Sequence, residues 1–193
     1  TLIKTVGIGI ATALIAISLL VLVNSFPTGR VAGHVAESMP MYLHEGDYPN
    51  EIPGSPGSQR DNFTEAIMLT MAIYPSQDAP LDNTIVSHRL TGSPSSTVDT
   101  PRVQNLNYAL SHLGNSAYIS QAGDYTRYWH GYLVVLKPLL LVLNPAEIRY
   151  LNLVLQLVLV GLTCLLITRT TTPKMLLPVL ATYVFLNPVA TAL

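Results

Sequence analysis

Two long apolar stretches flank a polar middle. Residues 5–23, TVGIGIATALIAISLLVLV, contain no charged side chain. Nor do residues 151–168, LNLVLQLVLVGLTCLLIT, where Asn152 and Gln156 are the only strongly polar positions. Roughly 20 apolar residues in a helix cross a hydrocarbon core about 30 Å thick, so each stretch predicts a membrane crossing. The apolar core of a cleaved signal peptide runs to only about 7–15 residues and ends at a small-residue site. The first stretch is longer, and VNSFPTG supplies no such site. Residues 175–193 open a third apolar stretch containing Pro178 and Pro188, which neighbouring helices can accommodate by satisfying the freed backbone groups. The pattern therefore divides the chain into a first transmembrane helix over 1–26, a polar segment over 27–130 and a short apolar element over 131–147. A second crossing over 148–169 and the start of a third over 175–193 follow.

The polar segment is dense in Pro, Gly, Ser and Asn, as in YPNEIPGSPGS, PSQDAPLDN and TGSPSSTVDTPR, which are turn and loop signals. Two helices stand out within it. Ser58 and Asp61 form a capping pair ahead of DNFTEAIMLTMAIY, and Phe63, Ile67, Met71 and Tyr74 then share one face. RVQNLNYALSHLG, 102–114, aligns Leu106, Leu110 and Leu113 and stops at Gly114. The fold class is thus a mainly α membrane protein with a long, loop-rich insertion that holds short helices.

The element over 131–147 has a different character. Its apolar run, Tyr132 to Leu143, is twelve residues and includes Lys137 and Pro138. That is about 18 Å of helix, too short to cross. Orientation agrees: basic residues favour the cytoplasmic side of short loops, so Lys4 and the RTTTPK turn belong on one side and an even number of crossings separates them. The run is therefore expected to lie at the outer interface or re-enter it. Tyr128, Trp129 and Tyr132 would form an aromatic belt and Lys137 would snorkel to water. The polar segment would then be extracytoplasmic, in a bacterial plasma membrane.

Composition points the same way. Of 193 residues, 49% are hydrophobic and 11% charged, against about 25% charged in soluble domains. The chain begins without Met and stops within apolar sequence, which reads as a piece of a longer polytopic protein. Cys164 is the only cysteine, so neither a disulfide framework nor a cysteine metal site is available. The net charge of −1 gives no indication of a nucleic-acid partner. Residues 27–130 hold ten of the eleven acidic and five of the ten basic residues, a net −5.

Candidate chemistry falls in three places. Asp61 and Glu65, four apart on a helix, share a face beside Arg60; such a pair can serve as a general base, or Asp61 can simply start the helix. GDYTRYWHGY gathers Asp124, Arg127, Trp129 and His130 at the membrane surface. There Arg127 can pair with a lipid phosphate and the aromatic rings can stack on a sugar, or the segment can serve only as a depth anchor. HVAESMPMYLHEGD offers Glu45 and Asp47 to a divalent cation, or is a polar loop. The five His match no metal-ligand spacing, and no phosphate-binding glycine loop is present. Asn62-Phe63-Thr64 is a glycosylation sequon, meaningful only in a secretory eukaryote.

The order of first crossing, acidic external loop, interfacial aromatic-basic segment and further crossings resembles the amino-terminal part of the GT-C type membrane glycosyltransferases. GSQRDNFTEAIMLTMA and RYWHGYLVVLKPLL carry that resemblance. It implies a polyprenyl-phosphate-linked sugar as donor, membrane lipid as surroundings and a glycan or other extracytoplasmic acceptor. An acidic catalytic residue would lie in the first external loop: Asp47 in GDYPNE, or Asp61 with Glu65 in DNFTE. Arg60, Arg127 and Lys137 would meet the lipid phosphate, with Trp129 and His130 beside the headgroup. Two other layouts fit the pattern: a membrane-bound sensor with an external ligand-binding loop, and a transporter or flippase subunit.

Overall fold

The computed structural model describes residues 2–97, 99–126, 130–170 and 173–185. The protein is mainly helical. In chain order the helices are α1 (Leu2–Asn24), α2 (Thr28–Glu37), α3 (Met39–Glu45), α4 (Asn62–Ala72), α5 (Pro80–Val86) and α6 (Arg102–His112). They continue with α7 (Ser116–Ile119), α8 (Leu133–Leu140), α9 (Pro145–Thr170) and α10 (Leu176–Phe185). Two-residue strands β1 (His88–Arg89) and β2 (Gly123–Asp124) pair antiparallel, with His88 opposite Asp124.

Two helices, α1 and α9, are long and apolar enough to cross a membrane. Their 23 and 26 residues give about 35 and 39 Å of helix. Most of their apolar side chains are exposed: Ile8, Leu14, Ile15, Val158, Leu159 and Leu166 among others. Their inner ends dock into the core, through Leu20, Val23 and Asn24 of α1 and Pro145 and Arg149 of α9, and the far end of α9 touches α10. A helix that is apolar all round yet unburied has no partner for its surface within this fold. α10 has ten residues, and the rest of the third apolar stretch, 186–193, lies outside the described residues.

The core lies between these ends. α4 packs against α6, α1 against α5 and α8, and α2 against α8. Val31, Val35, Met39 and Tyr42 from α2 and α3 meet Ala66, Leu69, Ile73, Leu106 and Leu140. The polar segment is more helical than its turn signals suggest. HVAESMPMYLHEGD folds as parts of α2 and α3, and its buried Val35, Met39 and Tyr42 continue a helical stripe begun at Val31. The stripe of α4 is also rotated from the expected one. Asn62, Ala66, Leu69 and Ile73 are buried, whereas Phe63 and Ile67 are only partly so. Asp61 caps α4 by accepting the Thr64 amide at 2.9 Å, while Ser58 bonds back to Ser55 and Ile52 instead.

α8 has eight residues, about 12 Å, and does not cross. It is tied into the core: His34 Nδ1 donates to the Leu140 carbonyl at 2.7 Å, and Lys137 is 1% exposed. The expectation that Lys137 snorkels is therefore overturned. Its Nζ donates inward to Asn24 Oδ1 at 2.8 Å and Ser76 Oγ at 2.9 Å. This places the ammonium at the carbonyl end of α1, where a helix dipole favours positive charge. Tyr132 also turns inward, its hydroxyl 3.1 Å from Met71 Sδ.

Candidate functional site

The start of α9 determines what α4 faces. Asn144 and Glu147 form a reciprocal cap: the Glu147 amide donates to Asn144 Oδ1 at 3.0 Å and the Asn144 amide to Glu147 Oε2 at 2.8 Å, with Pro145 at the first helical position. Arg149, in the first turns of this helix, is thereby directed into the domain. Its Nη2 donates to Asn62 Oδ1 at 2.7 Å and Glu65 Oε2 at 2.6 Å, and its Nη1 lies 3.3 Å from Glu45 Oε2. The guanidinium also sits 4.8 Å over the Tyr42 ring.

Arg60 extends the network outward. Its Nη2 donates to Glu45 Oε1 at 2.7 Å, and its Nε pairs with Glu51. Two guanidinium forks and three carboxylates thus interlock, with Asn62 also donating to Glu45 Oε2 at 3.0 Å. Burial alone would raise the Glu45 carboxyl, but the Asn62 hydrogen bond and the charges of Arg149 and Arg60 outweigh it and hold the pKa below the ordinary value. Burial, followed by the neighbouring Glu65 charge, pushes the Tyr42 phenol well above its ordinary pKa. Among the described residues the enclosed Tyr42 hydroxyl makes no hydrogen bond of good geometry.

Beside this network lies a cleft of about 700 Å³ between α4, α8 and α9. One end is polar, lined by Arg60, Asp61, Asn62, Glu65 and Arg149; the rest is apolar, with Leu69, Leu136, Leu139, Ile148 and Leu155. Leu155 lies on the apolar length of α9, so the cleft runs from the charged network onto the surface of a helix able to cross a membrane. Asp61 stands at the polar rim and is exposed. Its Oδ1 takes the Thr64 amide, so its second oxygen is available to a ligand.

The structure brings together three of the residues expected at a site, Arg60, Asp61 and Glu65, and separates others from them. Asp47 does not line the cleft. Gly46 ends α3 at φ 74°, a conformation that glycine adopts freely. Beyond it the Asp47 carboxylate caps α6, accepting the Arg102 and Val103 amides at 2.8 and 3.0 Å. Lys137 is in the core, away from the cleft. His130 is buried, its Nε2 donating to the Tyr125 carbonyl at 2.6 Å between the Tyr125 and Tyr132 rings. Arg127 and Trp129 lie outside the described residues.

Glu45 and Asp47, the pair offered to a cation, are engaged separately, by arginines and by a helix end. Among the described residues no group of three His, Cys, Asp or Glu side chains converges on one point. Arg149 and Asn62 were not anticipated as site residues, and Glu45 was anticipated only as a cation ligand. The legible signal for Arg149 was Asn-Pro-Ala-Glu at 144–147, a capping box that starts α9 ahead of it. The chain matches no protein-family model, no curated protein and no solved structure.

Proposed function

We propose that the chain is an integral membrane glycosyltransferase that moves a sugar from a polyprenyl-phosphate donor to an extracytoplasmic acceptor, with residues 27–130 on the outer side. The observation that carries this reading is the two-part cleft: a charged rim on α4 continuous with an apolar wall that runs onto α9. A lipid-linked sugar has the same two parts, a phosphate-bearing headgroup and a long hydrocarbon tail. The tail would lie along Leu136, Leu139, Ile148 and Leu155, burying apolar surface at about 25 cal/mol per Å².

The headgroup end supplies the remaining chemistry. Asp61 is the exposed carboxylate at the rim, suited to orient or deprotonate an acceptor hydroxyl. Arg60 and Arg149 provide forks that fit a phosphate, stabilising the negative charge that develops as the lipid phosphate leaves. Both are already paired, and their outermost partners are the most exposed: Glu51 at 29% and Glu65 at 31% of side-chain surface. Exchange of one of these carboxylates for a lipid phosphate keeps each guanidinium paired throughout. Transfer then breaks the bond between the sugar carbon and the phosphate oxygen and forms one to the acceptor oxygen, whose proton passes to the base.

The sensor reading has one observation in its favour, a second and polar cavity on the other side of α4. Sugar transfer in membranes containing the protein, supplied with labelled polyprenyl-phosphate sugars, separates the two. Wild type is expected to transfer label and Asp61→Asn to lose it by at least about a hundredfold. Asparagine caps a helix as well as aspartate does, so the loss would be chemical. Label transfer undiminished in Asp61→Asn, or absent with every sugar pool, overturns the reading.

A further inference from the structure

The second cavity, about 270 Å³, is bounded by Ala66, Ile67 and Thr70 of α4, the segment from Arg89 to Thr97, Arg102 and Asn105 of α6, and Tyr118. These α4 residues lie on the helix face turned away from Glu65, Met68 and Leu69, which line the cleft described above.

Its walls hold two arginines and no carboxylate. Among the described residues the other buried or half-buried arginines, Arg60 and Arg149, are paired with glutamates. Arg89 and Arg102 have no carboxylate within ion-pair distance among the described residues. Asp47, the nearest acid in the hydrogen-bond network, is spent on the backbone amides of Arg102 and Val103 and does not line the cavity. Each guanidinium is held by its face instead. Arg89 stacks 4.9 Å over the Tyr125 ring and Arg102 5.2 Å over Phe63, which leaves the N–H edges for another partner. Arg102 Nε is enclosed and makes no hydrogen bond among the described residues, a deficit that a ligand acceptor would relieve. Arg89 is half-buried, and its pKa is lowered by that burial and then by the like charge of Arg102.

The loop opposite is fixed in place. Gly92 approaches Asn105 so closely that an added Cβ would lie 1.9 Å from Asn105 Oδ1, so any larger residue there would have to displace the Asn105 and Ser96 side chains. Ser96 Oγ donates to the same Oδ1 at 3.0 Å, and the Tyr118 hydroxyl donates to the Thr91 carbonyl. Ser93 and Thr97 of this segment line the same cavity as the two arginines.

Two like charges kept together in a small cavity without a counter-charge constitute an incomplete ion cluster. We propose that this cavity binds a small water-soluble phosphate or phosphate monoester, gripped by Arg89 and Arg102 with loop hydroxyls completing its shell. A volume just below the usual 300–1,000 Å³ of small-molecule pockets fits a ligand no larger than a phosphorylated monosaccharide. Guanidinium forks match phosphate oxygens pairwise. The inference is independent of the transfer reading, since it concerns a different cavity and is tested by binding.

The test is equilibrium binding by calorimetry to the purified protein in nanodiscs at constant ionic strength. The probes are inorganic phosphate, a hexose 6-phosphate and the unphosphorylated hexose. Saturable binding of one or both phosphate compounds is expected, without binding of the neutral hexose. Tighter binding of the monoester would identify a phosphorylated sugar as the better ligand; equal binding would identify phosphate itself. Arg89→Gln and Arg102→Gln should each weaken binding roughly tenfold to a hundredfold, as loss of a hydrogen bond to a charged group does. Arg30→Gln, at an exposed position, should leave it unchanged. Melting without ligand checks the fold of each variant. No saturable binding of either phosphate compound up to about 10 mM overturns the proposal. So does hexose binding as tight as the monoester's, or full affinity in folded Arg89→Gln and Arg102→Gln.

Discussion

Replacing Lys137 by Met tests how the core holds a buried charge. The ammonium is 1% exposed and its hydrogen-bond partners are neutral, Asn24 Oδ1 and Ser76 Oγ. Burial pushes its pKa from 10.5 down to about 8, which corresponds to about 3 kcal/mol against the charged form. The carbonyl end of α1 favours the ammonium, but burial prevails, and the net penalty near neutral pH is about 3 kcal/mol. Because the folded pKa is the lower one, both states are protonated below pH 8 and the penalty is constant there. Above pH 8 the folded protein releases the proton while the unfolded chain keeps it until about 10.4, so stability rises with pH across that window. Tyr42, Tyr74, Tyr118 and Tyr132 have raised folded pKa values and act oppositely. Their unfolded forms ionise near pH 10, so they lower stability only from there upward. The usable interval is therefore about pH 8–9.5, where wild type should gain about 1 kcal/mol relative to Lys137→Met. The variant itself should be at least as stable as wild type at pH 7, since apolar replacement of a buried charge is often neutral or stabilising. The assay is reversible unfolding of both proteins in mixed micelles at several pH values. A wild-type-minus-variant difference that stays flat over this interval, or a variant several kcal/mol weaker at pH 7, would refute the reasoning.

Two further substitutions separate scaffold from site. Arg149→Met strips Glu65 of its ion-pair partner and leaves Glu45 and Asn62 with one contact fewer; a loss of about 3 kcal/mol in the same unfolding assay is expected, and a loss below about 1 kcal/mol would show that the network contributes little. Asp47→Ala removes the acceptor of two α6 amides and should cost about 1–2 kcal/mol, yet transfer per folded molecule should persist; abolished transfer in the folded variant would make Asp47, and not Asp61, the base.

The parts of the fold legible in the sequence are those whose signals are local. Residues 5–23 and 151–168 announce themselves because lipid-length apolar runs are rare in any other setting. Asp61 reads as a helix start because its carboxylate bonds an amide only three residues on. α2 and α3 were legible in principle, since Val31, Val35, Met39 and Tyr42 keep a helical period. The intervening His34, Glu37 and Ser38 masked it, because a short amphipathic helix with a polar outer face has the composition of a loop. The site itself depends on partners far apart in the chain. Arg149 meets Asn62 and Glu45 across 87 and 104 residues, and Asp47 caps a helix 55 residues away. Lys137 illustrates why such pairing escapes a one-dimensional reading. Next to an apolar run it looks like a snorkelling side chain, yet a 113-residue separation brings it to the Asn24 side chain at the end of α1. A cation ends up inside the core because two side-chain oxygens, Asn24 Oδ1 and Ser76 Oγ, meet at the end of α1 and accept from it. Charge placement in this protein is thus set by where helices end. Asn144 and Glu147 position Arg149, the Gly46 turn positions Asp47, and the end of α1 positions Lys137. The carboxylate left at a rim with a free oxygen, Asp61, is the one whose helix needs only half of it.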